Sequence, residues 1–187
     1  ELLDWTGVGS PTNFMISGFS SVVNNAFQSN TNITNVHIGN TVTSIGENAF
    51  YGTSNLISVS FESNSQLTTI GFYAFRDTTS LNSITFGENS QLTSIGSYAF
   101  YNATSLTSIA IPDKVTGINE FTFFSTTSLT SVTFGAGSLL TSIGASTFRD
   151  ASALTTIAIP DKVTSIGSDA FKEATLLNSI TFGVNSQ

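Results

Sequence analysis

A six-residue phrase recurs along this chain at almost constant spacing, and that spacing limits the fold more than any other feature. It reads Ile45-Gly46-Glu47-Asn48-Ala49-Phe50, then again from Ile70 to Phe75 and from Ile95 to Phe100. Looser copies run from Ile118 to Phe123 and from Ile143 to Phe148, with a clean one from Ile166 to Phe171 and a recognisable first one from Val22 to Phe27. The closing phenylalanines stand at 27, 50, 75, 100, 123, 148 and 171, so successive copies lie 23 or 25 residues apart. A unit this short cannot bury its own apolar face and must stack on its neighbours to build a core. The period predicts a solenoid of about seven coils.

A second phrase begins six residues after each phenylalanine. Its copies include Leu56-x-x-Val59-x-Phe61, Leu81-x-x-Ile84-x-Phe86 and Leu106-x-x-Ile109-x-Ile111, and the last is Leu177-x-x-Ile180-x-Phe182. The last two apolar positions are two apart and are β-branched or aromatic, which is the chemistry of a strand with alternate side chains facing inward. The turn that follows has two lengths. A short form runs from Ile111 to Ile118 through Pro112-Asp113-Lys114, and a long form from Phe86 to Ile95 through Gly87-Glu88-Asn89. The two-residue difference accounts for the steps of 23 and 25, so length variation is confined to one surface loop. The Gly of each Ile-Gly pair reads as a turn residue that accepts unusual backbone angles.

From about residue 22 to residue 187, these phrases resemble the BspA-like (Treponema-type) leucine-rich repeat family. Its unit reads Leu-x-x-Ile-x-Ile-Pro-x-x-Val-x-x-Ile-Gly-x-x-Ala-Phe and commonly carries a cysteine before the next leucine. Here small residues fill that place, as in Asn102-Ala103-Thr104 and Asp150-Ala151-Ser152. The expected fold is a leucine-rich-repeat solenoid with one parallel strand per coil, from Ile33–Ile38 to Leu177–Phe182, on a concave face. Short helical turns are expected around each Ala-Phe pair on the convex side. The resemblance also implies a secreted or cell-surface setting and a role in microbial adhesion.

The ends are read separately. Residues 1–21 break the repeat and carry Trp5, Phe14, Met15, Ile16 and Phe19, which suits an N-terminal cap or the remnant of a preceding segment. Residues 22–187 form the array. Its last phrase stops inside a repeat at Gln187, so continuation into further repeats or domains of the same chain is expected.

Composition narrows the chemistry. Hydrophobic residues make up 40% of the chain on a fixed register, which argues for a packed core although only 9% of residues are charged. The net charge of −7 and five scattered bases (Arg76, Lys114, Arg149, Lys162 and Lys172) disfavour nucleic acid and anionic membranes. No apolar run approaches the roughly 18 residues of a membrane span. Cysteine is absent, which excludes disulfides and thiolate metal sites.

His37 is the only histidine, so any imidazole chemistry rests on it alone, with Ser58 or Ser60 brought close from the neighbouring strand. Its place between Val36 and Ile38 is an outward strand slot, and the reading is an exposed histidine in a chain that is not an enzyme. No phosphate-binding loop, G-x-S-x-G or H-E-x-x-H motif is present, and no cofactor is expected. Calcium needs several converging oxygens, and the nearest approach is Glu62 with Glu88 in successive long turns. Asn32 and Asn102 fit the glycosylation pattern.

Two surfaces remain as candidates. The outward slots Asn35, His37, Ser58, Ser60, Ser83, Thr85, Ser108, Ser131, Thr133, Thr156, Ser179 and Thr181 make a concave ribbon about 29 Å long at the usual strand spacing. Leucine-rich repeat proteins usually bind there, but this ribbon lacks the Trp, Tyr and Arg anchors on which protein interfaces centre. The larger side chains lie on the convex side, with Tyr73, Tyr98 and Tyr101 the foremost. The leading functional reading is an adhesion module that binds a protein or glycan on a host, a neighbouring cell or a matrix. A structural spacer of a fibre, envelope or virion is the alternative, and ice binding by Ser/Thr ladders is a minor one.

Overall fold

The computed structural model describes residues 13–183. Trp5 and the tail from 184 to 187, on which the cap and continuation readings partly rest, lie outside the described residues.

The chain winds as a parallel solenoid. Long strands at Asn13–Ile16, Asn35–Ile38, Ser58–Phe61, Ser83–Thr85, Ser108–Ile111 and Ser131–Phe134 hydrogen-bond side by side in chain order. Thr156–Ile159 and Ser179–Phe182 pair as a further two-stranded sheet. Phe14 and Val36, then Val36 and Val59, sit opposite one another and are buried, while Asn35 and Ser58 stay on the outer face. Register is firm because a slip by one residue would expose every inward side chain. The segment read as a cap supplies the first of these strands, and its Phe14 and Ile16 enter the common core.

Each coil also has a second strand where the repeat phrase suggests only one. Two-residue strands such as Ser44–Ile45, Thr69–Ile70 and Ser94–Ile95 form a seven-stranded parallel sheet along another side. Threonines beside it brace the stack. The hydroxyls of Thr43, Thr68, Thr93, Thr141 and Thr164 each donate to a carbonyl of the preceding coil.

The expected helical turns around each Ala-Phe pair are not formed; no helix occurs among the described residues. The reason is visible in the backbone donors of one coil. Ala49, Tyr51 and Thr53 N–H groups bond within the turn, but those of Asn48, Phe50 and Gly52 donate to Phe72, Ala74 and Arg76 of the next coil. Left-handed residues, Asn48 and Gly52 in this coil, recur every fourth place. A helix needs every residue right-handed and every amide turned along its own axis. This flank instead uses half its amides to hold neighbouring coils together.

Phenylalanine fills the centre. Phe27, Phe50, Phe75, Phe100, Phe123, Phe148 and Phe171 stack with centroids 5.0–5.5 Å apart and planes within 11°. The small residues before Leu56, Leu81, Leu106, Leu129 and Leu154 are buried as well. Thr53, Thr78 and Thr126 satisfy their hydroxyls on the carbonyls of Phe27, Phe75 and Phe123, while Ala103 and Ala151 need no partner.

The Ile-Gly glycines have a different cause from the one expected. Positive φ among described glycines is confined to Gly18 and Gly52. A Cβ on Gly71 or Gly96 would instead come within 2.8 or 2.7 Å of the preceding coil's backbone. Glycine stands here because the coils touch main chain to main chain.

Candidate functional site

The turn flank, not the ribbon, carries the residues that stand out chemically. The position after each core phenylalanine is Gln28, Tyr51, Arg76, Tyr101, Phe124, Arg149 and Lys172, and winding stacks these into one column. The guanidinium of Arg76 lies 5.7 Å from the Tyr51 ring centroid and 4.6 Å from that of Tyr101, so it is held between two aromatic rings. Tyr73 adds a third at 4.9 Å. Tyr101 stacks on Phe124 at 4.9 Å, and Arg149 covers Phe124 from the far side at 5.6 Å. Each cation–π contact is worth about 0.5–1 kcal/mol when exposed and more when dry.

A second column runs beside it, made of Asn25, Asn48, Tyr73, Tyr98, Phe121, Ser146 and Asp169, all with φ between 53° and 60°. Asn and Asp tolerate this left-handed backbone, whereas a bulky side chain there is a genuine outlier. The three central coils nevertheless place aromatic residues in it, at a cost of roughly 1–2 kcal/mol each. Tyr98 stacks on Phe121 at 4.7 Å and packs against Tyr73 at 5.0 Å, and Phe72, 38% exposed, leans on Tyr73 and Tyr98. The outcome is a continuous, half-exposed aromatic strip across three coils.

Electrostatics on the strip are balanced. Arg76 Nε donates to Asp77 Oδ2 at 3.3 Å, and Asp77 Oδ1 accepts from Asn102 Nδ2 at 2.8 Å. Burial lowers the Arg76 pKa, but the carboxylate of Asp77, with Tyr51 and Tyr73, outweighs it, and the guanidinium is held above its ordinary value. Burial first, then Tyr73 and Glu120, push the Tyr98 phenol above its ordinary value. Asn102, one of the two glycosylation-pattern asparagines, has its amide engaged by Asp77, whereas Asn32 is exposed.

The ribbon assembles as expected in outline. Pairing aligns Asn35, Ser58, Ser83, Ser108 and Ser131 in one row and sets Thr156 beside Ser179. His37, Ser60 and Thr85 follow in the next row, while Thr133 pairs with Ala110 and Thr181 with Ala158. His37 is the one point of concentrated chemistry. Its Nδ1 lies 2.9 Å from Ser60 Oγ and its Nε2 3.5 Å from Glu62 Oε1, while Glu62 Oε2 accepts the Asn40 N–H at 2.9 Å. Acid, imidazole and hydroxyl therefore stand in sequence. Ser60, however, is mid-strand, laddered to His37 on one side and Thr85 on the other. Its backbone belongs to that ladder rather than to a turn of the kind that aims N–H groups at a developing oxyanion.

The five bases stay spread over the coils, but they fall on two registers of the repeat. Arg76, Arg149 and Lys172 share the flank column, and Lys114 and Lys162 occupy equivalent short turns. Applying the repeat frame to the polar positions as well as the apolar ones would have revealed both columns. The left-handed backbone of the aromatic column is signalled only at Asn25, Asn48 and Asp169, residues that tolerate it, and not at Tyr73, Tyr98 and Phe121.

Parallel coils with a Leu-x-x-Ile-x-Phe strand and an Ile-Gly-x-x-Ala-Phe turn define a leucine-rich repeat protein of the β-solenoid kind. The family model for the BspA type leucine rich repeat region matches residues 20–139 and 93–187 in six copies, and the chain belongs to that family. It is similar to a leucine rich cell surface protein of Faecalibacterium prausnitzii, with 32% identity and a TM-score of 0.80 over 96% of this chain and 49% of that one. This chain thus spans about half the length of that relative. The T. pallidum leucine rich repeat protein TpLRR, 20% identical with a TM-score of 0.54 over 78% of this chain and 79% of that one, shares the fold. So does the pneumococcal vaccine antigen PcpA, at 20% identity and a TM-score of 0.59 over 94% of this chain and 41% of that one. No curated protein matches the chain.

Proposed function

We propose that this chain is a non-enzymatic adhesion module of a cell-surface protein, and that it binds a partner protein through the aromatic strip on its turn flank. The carrying observation is the column Tyr73–Tyr98–Phe121, where aromatic side chains occupy a left-handed backbone that other coils give to Asn48, Ser146 and Asp169. Backbone strain of this kind clusters at binding and switch surfaces, and this strip carries three such residues in neighbouring coils. Tyr and Arg are the side chains on which protein interfaces centre, and here they are pre-stacked, so little side-chain freedom is left to lose on binding. Tyr98 and Phe121 cover one another's faces with planes within 9°, and Tyr73 is tilted against Tyr98, which leaves less flat ring face for a sugar to stack on and suits protein contact better. The cell-surface description of the F. prausnitzii relative supports the setting.

The test replaces Tyr73, Tyr98 and Phe121 together by Asn, the residue the same position carries at 25 and 48. Beads bearing the chain are scored for adhesion to epithelial cells and to matrix-coated surfaces, with thermal unfolding measured in parallel. Strain relief and lost ring contacts roughly offset, so stability should stay within about 1 kcal/mol of the parent while adhesion is lost. A second variant places Lys at Ser83, Thr85, Ser108, Ser131 and Thr133. Loss of adhesion from the ribbon variant alone would move the site to the ribbon, and adhesion unchanged by both would leave the spacer role standing.

A further inference from the structure

The alternation of turn lengths does more than set the repeat step. Two of the short turns, residues 111–118 and 159–166, each lie at the bottom of a niche at the end of the strand ribbon. One niche, of about 570 Å³, is walled by Phe86 and Phe134 and floored by Ala110, Pro112, Asp113 and Lys114. A second, of about 400 Å³, is walled by Phe134 and Phe182 and floored by Ala158, Pro160, Asp161 and Lys162. The floors come from an identical run, Ile109 to Thr116 and Ile157 to Thr164. Core packing explains the isoleucines and valines, and turn geometry explains Pro-Asp. Neither explains the exposed Ala110 and Ala158, which stand where other strands carry His37, Ser60, Thr85, Thr133 and Thr181. A small side chain there keeps the niche open.

We propose that the two niches are paired subsites for a carbohydrate chain. Three features select that ligand class. First, Phe86 and Phe134, half-buried against the core, border the niche with aromatic surface. Phe86 stacks on Phe61 on one side only, and among the described residues no ring stacks on Phe134, because the intervening coils carry Ile111 and Ile159. An apolar C–H face of a pyranose suits such a surface. Second, each floor carries one carboxylate and one ammonium, so a ligand of no net charge but many hydroxyls is matched best. In the first niche Asp113 lies over Gly135 and Gly137, where any side chain would displace it, and Lys114 Nζ donates to Gln91 Oε1, which fixes the polar groups of that floor. Third, the niches are two coils apart, roughly 10 Å at the usual strand spacing, a length comparable to one disaccharide unit of an extended chain. A polymer would then fill both at once, and linkage would raise affinity without any new contact. This site is separate from the aromatic strip and does not depend on it.

The test titrates the isotope-labelled chain with cellohexaose, chitohexaose, xylohexaose and mannohexaose, and with the matching disaccharides, reading amide shifts by nuclear magnetic resonance. The expected result is coincident shifts at Ala110–Lys114 and Ala158–Lys162, with a hexasaccharide binding at least about tenfold more tightly than its disaccharide. Ala110→Trp with Ala158→Trp fills both niches from exposed slots and leaves the core alone. It should lower affinity at least about tenfold, a loss of about 1.4 kcal/mol, with unchanged thermal unfolding. The Asn triple variant of the aromatic strip should bind sugar as the parent does. No shift with any of these sugars at millimolar concentration, or binding that survives both tryptophans, would overturn the proposal. So would loss of cell adhesion, rather than sugar binding, in the double tryptophan variant.

Discussion

The rings of Phe75 and Phe100 lie 5.3 Å apart between centroids and within 1° of parallel, each fully buried by the coils on either side. Phe100→Ala removes one ring from the middle of that stack and leaves a cavity that neighbours on both sides cannot close. The expected cost is about 3–5 kcal/mol. Phe72→Ala, at a ring that is 38% exposed, should cost clearly less. Equal shifts in the two denaturant midpoints would mean that the core column is misassigned.

Gly96→Ala tests the close approach of coils independently of the phenylalanines. The added methyl would meet Gly71 and Phe72 backbone at 2.7 Å, and backbone cannot step aside as a side chain can. Overpacking of this kind costs roughly 1–3 kcal/mol. Gly117→Ala is the control, since the only contact in reach is the Ser142 hydroxyl at 3.2 Å. A harmless Gly96→Ala would return the Ile-Gly pair to a turn requirement.

Tyr98 gives a pH signature. Its phenol is raised in the folded chain, by burial first and then by Tyr73 and Glu120, while the unfolded phenol ionises near 10. Between those two values the unfolded chain has released a proton that the folded chain still holds. Stability attributable to Tyr98 is therefore complete below about pH 10 and falls as pH rises to the folded value. Tyrosinate absorbance should show a late-ionising phase that Tyr98→Phe removes. A titration with its upper limb intact in that variant would reject the assignment.

His37→Ala separates a surface contact from a catalytic one. The imidazole and the Glu62 carboxylate are both more than a third exposed, so their pair contributes little, and stability should change by no more than about 0.5 kcal/mol. Hydrolysis of p-nitrophenyl acetate by the parent should match that by the variant. Turnover that disappears with His37 would make the Ser60–His37–Glu62 arrangement an active centre after all.

Much of the architecture was legible because a solenoid repeats its constraints. Phe50, Phe75 and Phe100 recur at one register, and a side chain that must meet its own copy one coil away declares its neighbours in the sequence. The turns were misread for a related reason. Ala49-Phe50 looks like helix, since both residues accept that backbone, and nothing local shows that Asn48 and Phe50 N–H groups donate to the following coil. The same blindness hid the second, two-residue strands, which are too short to have a pattern of their own.

The residues alone determined the coil count, the phenylalanine column, the inward and outward faces of the long strands and the lack of cysteine chemistry. Those features follow from hydrophobic periodicity and composition, which are properties of the chain in order. The tertiary structure decided which polar residues meet. Arg76 lies between Tyr51 and Tyr101, Ser60 and Glu62 close on His37, and Asp113 settles over Gly135. Each of these contacts joins side chains more than twenty residues apart, and winding brings them to within one strand spacing. Their geometry depends on coil pitch and on the left-handed backbone at Tyr73, Tyr98 and Phe121, and neither is encoded in any single repeat.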